Sequence, residues 1–383
     1  MIIEIRMAGF VNKGAELMLL AVIQKVRERY PTAKITMAPV YGAADDTFER
    51  MQRLKLYPRI WFVRKGIDFG FLSSLIPDQL LKMYGLIKAS EVDVVLDAAG
   101  FAYSDQWGNK LSQELSSSSV KWKKNKTKLI MLPQALGPYS GGEARKFVKN
   151  WASNADLIFP REPDSYKYLT DIVGEHEKIR CFPDFTNLVE GTLPEGYDFS
   201  NKRIALVPNF RMIDKTSKEE SSAYLPFMIN CAKYLLEKGA QPFLLVHEGV
   251  SDKNLAEKIS DAVGGIPVVL ETNPLHIKGI LGTCDATISS RFHGLVSALS
   301  QGVPSIATGW SHKYVRLFED YDFKEGLVSV LDSKSVLHEK IDLLLSPETL
   351  GPLRLQLQKK SEIMKGVSEN MWDLVFSKID EPI

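Results

Sequence analysis

Between Ile288 and Lys313 the chain reads ISSRFHGLVSALSQGVPSIATGWSHK, and its Arg291, His293 and Gly294 fall within one short turn. Ala286-Thr287-Ile288 reads as a strand, and the two serines after it could cap a helix. Arg291 and His293 then fall in the first helical turn, where unpaired N–H groups and the helix dipole favour an anion. Gly294 removes a side chain where a ligand would need close backbone approach. Arginine grips phosphate or carboxylate with two parallel hydrogen bonds, and histidine moves a proton near neutral pH. A second strand, Pro304 to Thr308, follows Gly302. The combination points to chemistry on an anionic small molecule.

Other candidates sit where strands should end. Asn12, Lys13 and Gly14 follow the first strand, where a doubly wound sheet binds ligands or simply turns into a helix. Ala15-Glu16 stands where a P-loop needs Lys-Ser/Thr, which excludes that phosphate site. Asp97 ends an apolar run and Asp105 follows it, so either could orient or deprotonate a hydroxyl. The alternatives are a loop cap for Asp97 and an exposed loop position for Asp105. Arg161 opens another helix, as a second anion contact or as the partner of Glu162 or Asp184. His247 and His276 read better as structural histidines. No compact His/carboxylate cluster or HExxH spacing indicates a metal, and GxSxG is absent.

These positions need a scaffold that presents strand ends, and the pattern supplies one. Strand and helix signals alternate: strands are expected at 2–7, 34–38, 59–63, 92–96, 128–132, 156–159 and 179–182. After the Gly/Pro/Asp-rich stretch 190–200 they resume at 203–207, 242–246, 268–270, 286–288 and 305–307. The fold class is α/β, as two Rossmann-like domains facing across a cleft. They are expected at 1–190 and 201–345, followed by a helical segment, 346–383, that could cross back over the first half.

Composition narrows the setting. The 383 residues are 45% hydrophobic and 25% charged, as in a globular protein, and a net charge of +1 gives no global pull toward nucleic acid. Glu4 and Arg6 interrupt the first apolar stretch, so it does not read as a secretory leader, and no run is long enough to span a membrane. Three scattered cysteines, Cys181, Cys231 and Cys284, fit a reducing cytoplasm. Arg53 to Phe71 interleaves basic and aromatic side chains, which can lie on an anionic membrane surface but can also be an ordinary strand with a charged flank.

Taken together, the chain resembles the polysaccharide pyruvyl transferase family. The resemblance rests on Asn12-Lys13-Gly14, Asp97 to Asp105, Gln134 to Pro138, Arg161 to Ser165, Pro183-Asp184, and above all Ser290 to Gly294 with Gly302-Val303-Pro304 and Lys313. Two departures, Ala15 ahead of Glu16 and Ala98-Ala99-Gly100, lie in the half expected to hold the acceptor. The resemblance implies a glycosyltransferase-B-like fold. It also implies transfer of pyruvate from phosphoenolpyruvate to two hydroxyls of a sugar, as a cyclic ketal with release of phosphate. The sugar would belong to a polysaccharide or a lipid-linked glycan precursor, modified in the cytoplasm or at the inner face of the membrane. No cofactor beyond the donor substrate is implied. In that reading His293 is the general acid, Asp97 or Asp105 aids the attacking hydroxyl, and Arg291 and Arg161 grip the donor. Gly294, Asn12, Lys13 and Lys313 complete the substrate contacts. Two rivals share the scaffold: a nucleotide-sugar glycosyltransferase and a non-catalytic anion- or sugar-binding protein.

Overall fold

The computed structural model describes residues 1–39, 46–60, 63–64, 67–68, 76–198, 200, 203–309 and 311–382. The basic and aromatic stretch from Arg53 to Phe71 falls partly outside them, since Trp61, Phe62, Lys65, Phe69 and Phe71 are not described. The same holds for Trp61 and Phe62 of the strand expected at 59–63, and the described pairing there falls on Tyr57–Pro58.

By their internal contacts the residues divide into two compact units. Unit 1 is Met1–Asp184 with Ser368–Ile383, and unit 2 is Phe185–Val367. Both are built from parallel strands with helices around them. The strands of unit 1 are β1 (Ile2–Arg6), β2 (Lys34–Met37), β3 (Tyr57–Pro58), β4 (Val63–Arg64), β5 (Ile67–Asp68), β6 (Val94–Asp97), β7 (Lys128–Gln134) and β8 (Leu157–Pro160). Its helices are α1 (Lys13–Arg29), α2 (Thr47–Arg53), α3 (Asp78–Met83), α4 (Lys110–Lys124), α5 (Gly142–Asn154) and α6 (Pro163–Val173). Unit 2 has strands β9 (Ile204–Val207), β10 (Pro242–Val246), β11 (Val268–Leu270), β12 (Ala286–Ser289) and β13 (Ser305–Ala307). Its helices are α7 (Arg211–Asp214), α8 (Lys218–Glu237), α9 (Gly249–Ala262), α10 (Pro274–Thr283), α11 (Phe292–Leu299), α12 (His312–Asp320) and α13 (Lys334–Leu345). The last helix, α14 (Pro347–Asp380), contributes to both units.

The main sheet of unit 1 has the order β3-β2-β1-β6-β7-β8, and that of unit 2 the order β11-β10-β9-β12-β13. The strand order therefore reverses between β1 and β6 in one sheet and between β9 and β12 in the other. Such reversal points, at the carboxyl ends of parallel strands, are where loops part and ligands enter. Parallel strands covered by helices on both faces read as unbroken apolar runs, and β6, β9 and β10 are buried throughout. Ile179 to Phe182, expected as a strand, makes one bridge to Ile158 and exchanges backbone hydrogen bonds with β8 before Pro183 removes the next donor.

The two ends of α14 are held differently. In unit 2, Arg354 donates to the carbonyls of Cys284 and Asp285 at 2.8 and 2.9 Å, and Ser361 donates to Ser300 O at 2.6 Å. In unit 1, the buried Lys128 ammonium donates to the carbonyls of Lys378 and Ile379 at 2.8 and 2.9 Å. A cation at a helix carboxyl end satisfies orphan carbonyls and complements the dipole. Arg29 and Tyr30 add contacts to Asp380 at 2.7 and 2.8 Å.

The segment that enters unit 2, from Phe185 onward, is seated on α10. Lys278 Nζ donates to Thr186 O at 2.8 Å, and Thr192 N donates to Leu275 O at 3.0 Å. Gly191 and Gly279 permit this approach, because a Cβ on Gly279 would lie 2.1 Å from Thr192 O. Alanine in a helix interior ordinarily gains about 1 kcal/mol over glycine. Here the clash with backbone reverses that sign. Gly279→Ala is expected to destabilise the protein by about 1–3 kcal/mol in urea unfolding, and a variant as stable as the parent would show that the segment does not sit there.

Candidate active site

In unit 2 the carboxyl ends of β9, β10, β12 and β13 converge on one turn, Ser290-Arg291, which leads from β12 into α11. Every polar atom of Ser290 is engaged. Its N–H donates to Val207 O at 3.1 Å, and its carbonyl accepts from Asn209 Nδ2 at 2.7 Å and Tyr314 Oη at 2.9 Å. Its hydroxyl accepts from Tyr224 Oη at 2.8 Å, and that phenolic oxygen accepts from Asn209 N at 2.9 Å. Burial pushes the Tyr224 phenol well up, so it stays a neutral donor. Gly309 makes room for this network, since a Cβ there would lie 2.2 Å from the Tyr314 ring.

Arg291 is the N-cap of α11, with Arg291 N donating to Ser289 Oγ at 3.0 Å. Its guanidinium turns toward α9. Nε donates to Asp252 Oδ2 at 2.9 Å, Nη2 reaches the same oxygen, and Nη1 reaches Glu248 Oε2. Asp252 is fully buried, and its other oxygen accepts from Phe210 N at 2.9 Å. Burial pushes the Asp252 carboxyl above its ordinary range, while Arg291 and the Phe210 N–H pull it back. The expected anion grip of Arg291 is thus met, in this structure, by two carboxylates of the chain itself.

His293 and Lys313 both lie against Phe292. The His293 ring meets Phe292 edge-on with centroids 5.5 Å apart, and Lys313 Nζ stands 5.2 Å from the Phe292 ring centre. The first turn of α11 directs the N–H groups of Phe292, His293 and Gly294 toward the helix start. A Cβ on Gly294 would lie 3.2 Å from Ser289 Oγ and 3.8 Å from the His247 ring, so glycine lets the helix start close to β12 and β10. Arg291, His293, Gly294 and Lys313 are therefore gathered at one helix start.

Unit 1 gives its predicted residues other partners. Asn12 Oδ1 caps α1, accepting from Gly14 N at 2.8 Å and Ala15 N at 3.1 Å. Lys13 pairs with Glu16 at 3.0 Å, and Arg50 also reaches Glu16. Asp97 is wholly buried. It accepts from Tyr103 Oη at 2.7 Å and Ala99 N at 3.2 Å, and lies 3.3 Å from Arg6 Nε. Burial raises its carboxyl above the usual range against the pull of Arg6 and Tyr103. These contacts engage both carboxylate oxygens of Asp97 within unit 1. Asp105 is half-buried, and its Oδ2 takes both Ser140 N and Ser140 Oγ at 2.6 and 2.5 Å. Arg161 is buried between Asp184 at 3.0 Å and Glu162 at 3.6 Å, the pair of carboxylates that the sequence sets against an anion contact. Gln134 links these turns: its side chain reaches Asp97 at 3.5 Å and its carbonyl accepts Arg161 N at 3.0 Å.

Asp252, Glu248, Asn209, Tyr224 and Tyr314 do not appear among the sequence-predicted residues. Asn209 and Glu248 carry a usable signal, since each stands one or two residues beyond a buried strand. Asp252 and the two tyrosines sit in helices without any marker. Among the described residues, no group of three His, Cys, Asp or Glu side chains is arranged to hold a metal ion.

Known proteins place this geometry. A UDP-GlcNAc 2-epimerase from Neisseria meningitidis, solved with UDP-GlcNAc, matches 98% of this chain and 100% of its own, with TM-score 0.59 and 11% identity. Anabaena Alr3699/HepE, solved with UDP, matches 98% of this chain and 99% of its own, with TM-score 0.60 and 12% identity. At such identities the likeness concerns the fold alone, which is GT-B-like. The sequence profile of polysaccharide pyruvyl transferases matches residues 12–312, from the cap of α1 to the start of α12. This chain belongs to the polysaccharide pyruvyl transferase family and is a transferase enzyme.

Proposed function

We propose that the protein transfers pyruvate from phosphoenolpyruvate to two hydroxyls of a sugar, forming a cyclic ketal and releasing phosphate. The observation that carries this reading is the gathering of Arg291, His293, Gly294 and Lys313 at the start of α11 within a family of pyruvyl transferases. Phosphoenolpyruvate brings a phosphate and a carboxylate to a place rich in backbone donors and cationic side chains. His293 delivers a proton to the methylene carbon, which makes C2 electrophilic. One sugar hydroxyl adds to C2 and gives up its proton, the C2–O bond to phosphate breaks, and the second hydroxyl closes the ring with loss of its own proton. Asp105, half-buried with one oxygen outside its two bonds to Ser140, is the acceptor-side carboxylate we favour over Asp97. Arg161 is proposed as a positioning group, because two carboxylates already match its charge.

The direct test incubates the protein with phosphoenolpyruvate and candidate glycans, following phosphate release and a mass gain of one pyruvate less water. Thermal stabilisation by nucleotide sugars but not by phosphoenolpyruvate would overturn the reading in favour of glycosyl transfer. His293→Ala is expected to lower turnover by about 100-fold or more with little change in donor binding, the usual share of a general acid. Wild-type turnover would remove His293 from the mechanism.

We also propose a lipid-linked acceptor met at a membrane surface. No helix among the described residues is long and apolar enough to cross a membrane. What supports a surface contact is α3, where Leu80 and Met83 are exposed at helical spacing beside the exposed Lys82, with Ile76 exposed just before the helix and Tyr84 just after it. Replacing Leu80, Met83 and Tyr84 by serine is expected to abolish co-sedimentation with anionic vesicles while leaving turnover on a soluble acceptor intact. Unchanged co-sedimentation would discard α3 as the contact.

A further inference from the structure

We propose that Asn209 is the positioning residue of the reacting turn: its side-chain amide sets the plane of the Ser290–Arg291 peptide and, through it, the place of His293. This rests on the reading of His293 as the general acid.

The N-cap of α11, Arg291, makes no side-chain bond to the first turn, so no ordinary cap fixes where the helix begins. The peptide group ahead of it is held on both edges instead. Its N–H, that of Arg291, donates to Ser289 Oγ at 3.0 Å. Its oxygen, Ser290 O, accepts from Asn209 Nδ2 at 2.7 Å and from Tyr314 Oη at 2.9 Å. One donor would satisfy a buried carbonyl; a second engages the other lone pair and fixes its direction. Arg291 O then accepts from Leu295 N at 2.9 Å, which opens the helix, and His293 lies within that turn.

Asn209 stands two residues past β9, where the strand order of unit 2 reverses, and is 2% exposed. Its Oδ1 accepts from Arg211 N at 3.0 Å, which turns the amide nitrogen toward Ser290 O. Interchanging the two atoms would set donor against donor and acceptor against acceptor, so only this orientation of the amide works. The N–H of Asn209 donates to Tyr224 Oη at 2.9 Å, and that phenol donates to Ser290 Oγ at 2.8 Å. Asn209 thus reaches Ser290 twice, directly and through Tyr224. Apolar packing attracts without direction, whereas these bonds specify distance and angle. An apolar side chain of similar size would fill the space and leave the peptide plane unheld.

The test compares Asn209→Asp and Asn209→Ala with Met228→Ala, which truncates a fully buried apolar residue of α8 one turn beyond Tyr224. Asn209→Asp keeps an acceptor for Arg211 N but sets an oxygen against the Ser290 carbonyl. Well below the unfolding temperature of each variant, turnover with phosphoenolpyruvate is expected to fall about 10- to 100-fold in both Asn209 variants. Donor KM should stay within about twofold, because the loss falls on the transition state. Met228→Ala should unfold at a lower temperature and turn over like wild type. Amide hydrogen exchange at Phe292 to Leu295, followed by mass spectrometry without substrate, should quicken selectively in the Asn209 variants. Unchanged exchange there overturns the proposal, as does wild-type turnover in the Asn209 variants or an equal loss of turnover in Met228→Ala. Faster exchange at the helix start, with no phosphoenolpyruvate turnover even by wild type, would sustain the hold on the turn and sink the pyruvyl reading.

Discussion

A charge taken out of water at the end of a parallel strand must be matched within the protein, and this constraint shapes every turn of the candidate site. Arg291 lies against Asp252 and Glu248, Arg161 against Asp184 and Glu162, and Arg6 against Asp97. In each case the arginine stands at or just beyond a strand's carboxyl end. Parallel sheets crowd these ends with backbone carbonyls and inward-facing side chains, so water cannot do the compensating. The carboxylates are therefore part of the site's architecture, and any anionic ligand has to enter an arrangement whose charge is already settled.

That constraint separates the two units in kind. In unit 1 the compensated groups are closed off: Asp97 and Arg161 are buried, and Gln134 ties one turn to the other. In unit 2 the compensation is graded, with a fully buried Asp252 and a partly exposed Glu248 on the same guanidinium. The difference follows from placement, since Asp252 sits within a helical turn and Glu248 on the loop that precedes it.

What could be read from the sequence follows the range of the interactions. Arg291, His293 and Gly294 stand together because a strand end, two serines and a helix start lie within one short segment. The buried strands show themselves as apolar runs for the same local reason. The partners of Arg291 and Ser290 come from distant loops, Asp252 at a separation of 39 residues and Asn209 at 81 from the carbonyl it supports. No spacing rule marks such pairs. Asp97 shows the same limit, although the loop cap also expected of it is present in its bond from Ala99 N. As the last residue of an apolar run it looks presented to a ligand, yet the β1–β6 register sets it beside Arg6, and Tyr103 closes over it. Register is a property of two strands and cannot be seen in either. Asn12 had an ordinary alternative from the start, and its cap on Gly14 and Ala15 realises that alternative.

The network around Ser290 fixes the backbone beside the Arg291 ion pairs. Its carbonyl, hydroxyl and N–H are all spoken for by Asn209, Tyr314, Tyr224 and Val207, so the backbone entering α11 has no freedom to follow the Arg291 side chain. The Arg291 side chain and the backbone that enters α11 are therefore held by separate sets of contacts. Catalysis by positioned groups requires such separation, because a shift of about 1 Å in a reacting group can cost two orders of magnitude in rate. The turn thus joins a backbone pinned by Asn209, Tyr314, Tyr224 and Val207 to a guanidinium matched by two carboxylates, so the position of the helix start does not depend on the Arg291 side chain.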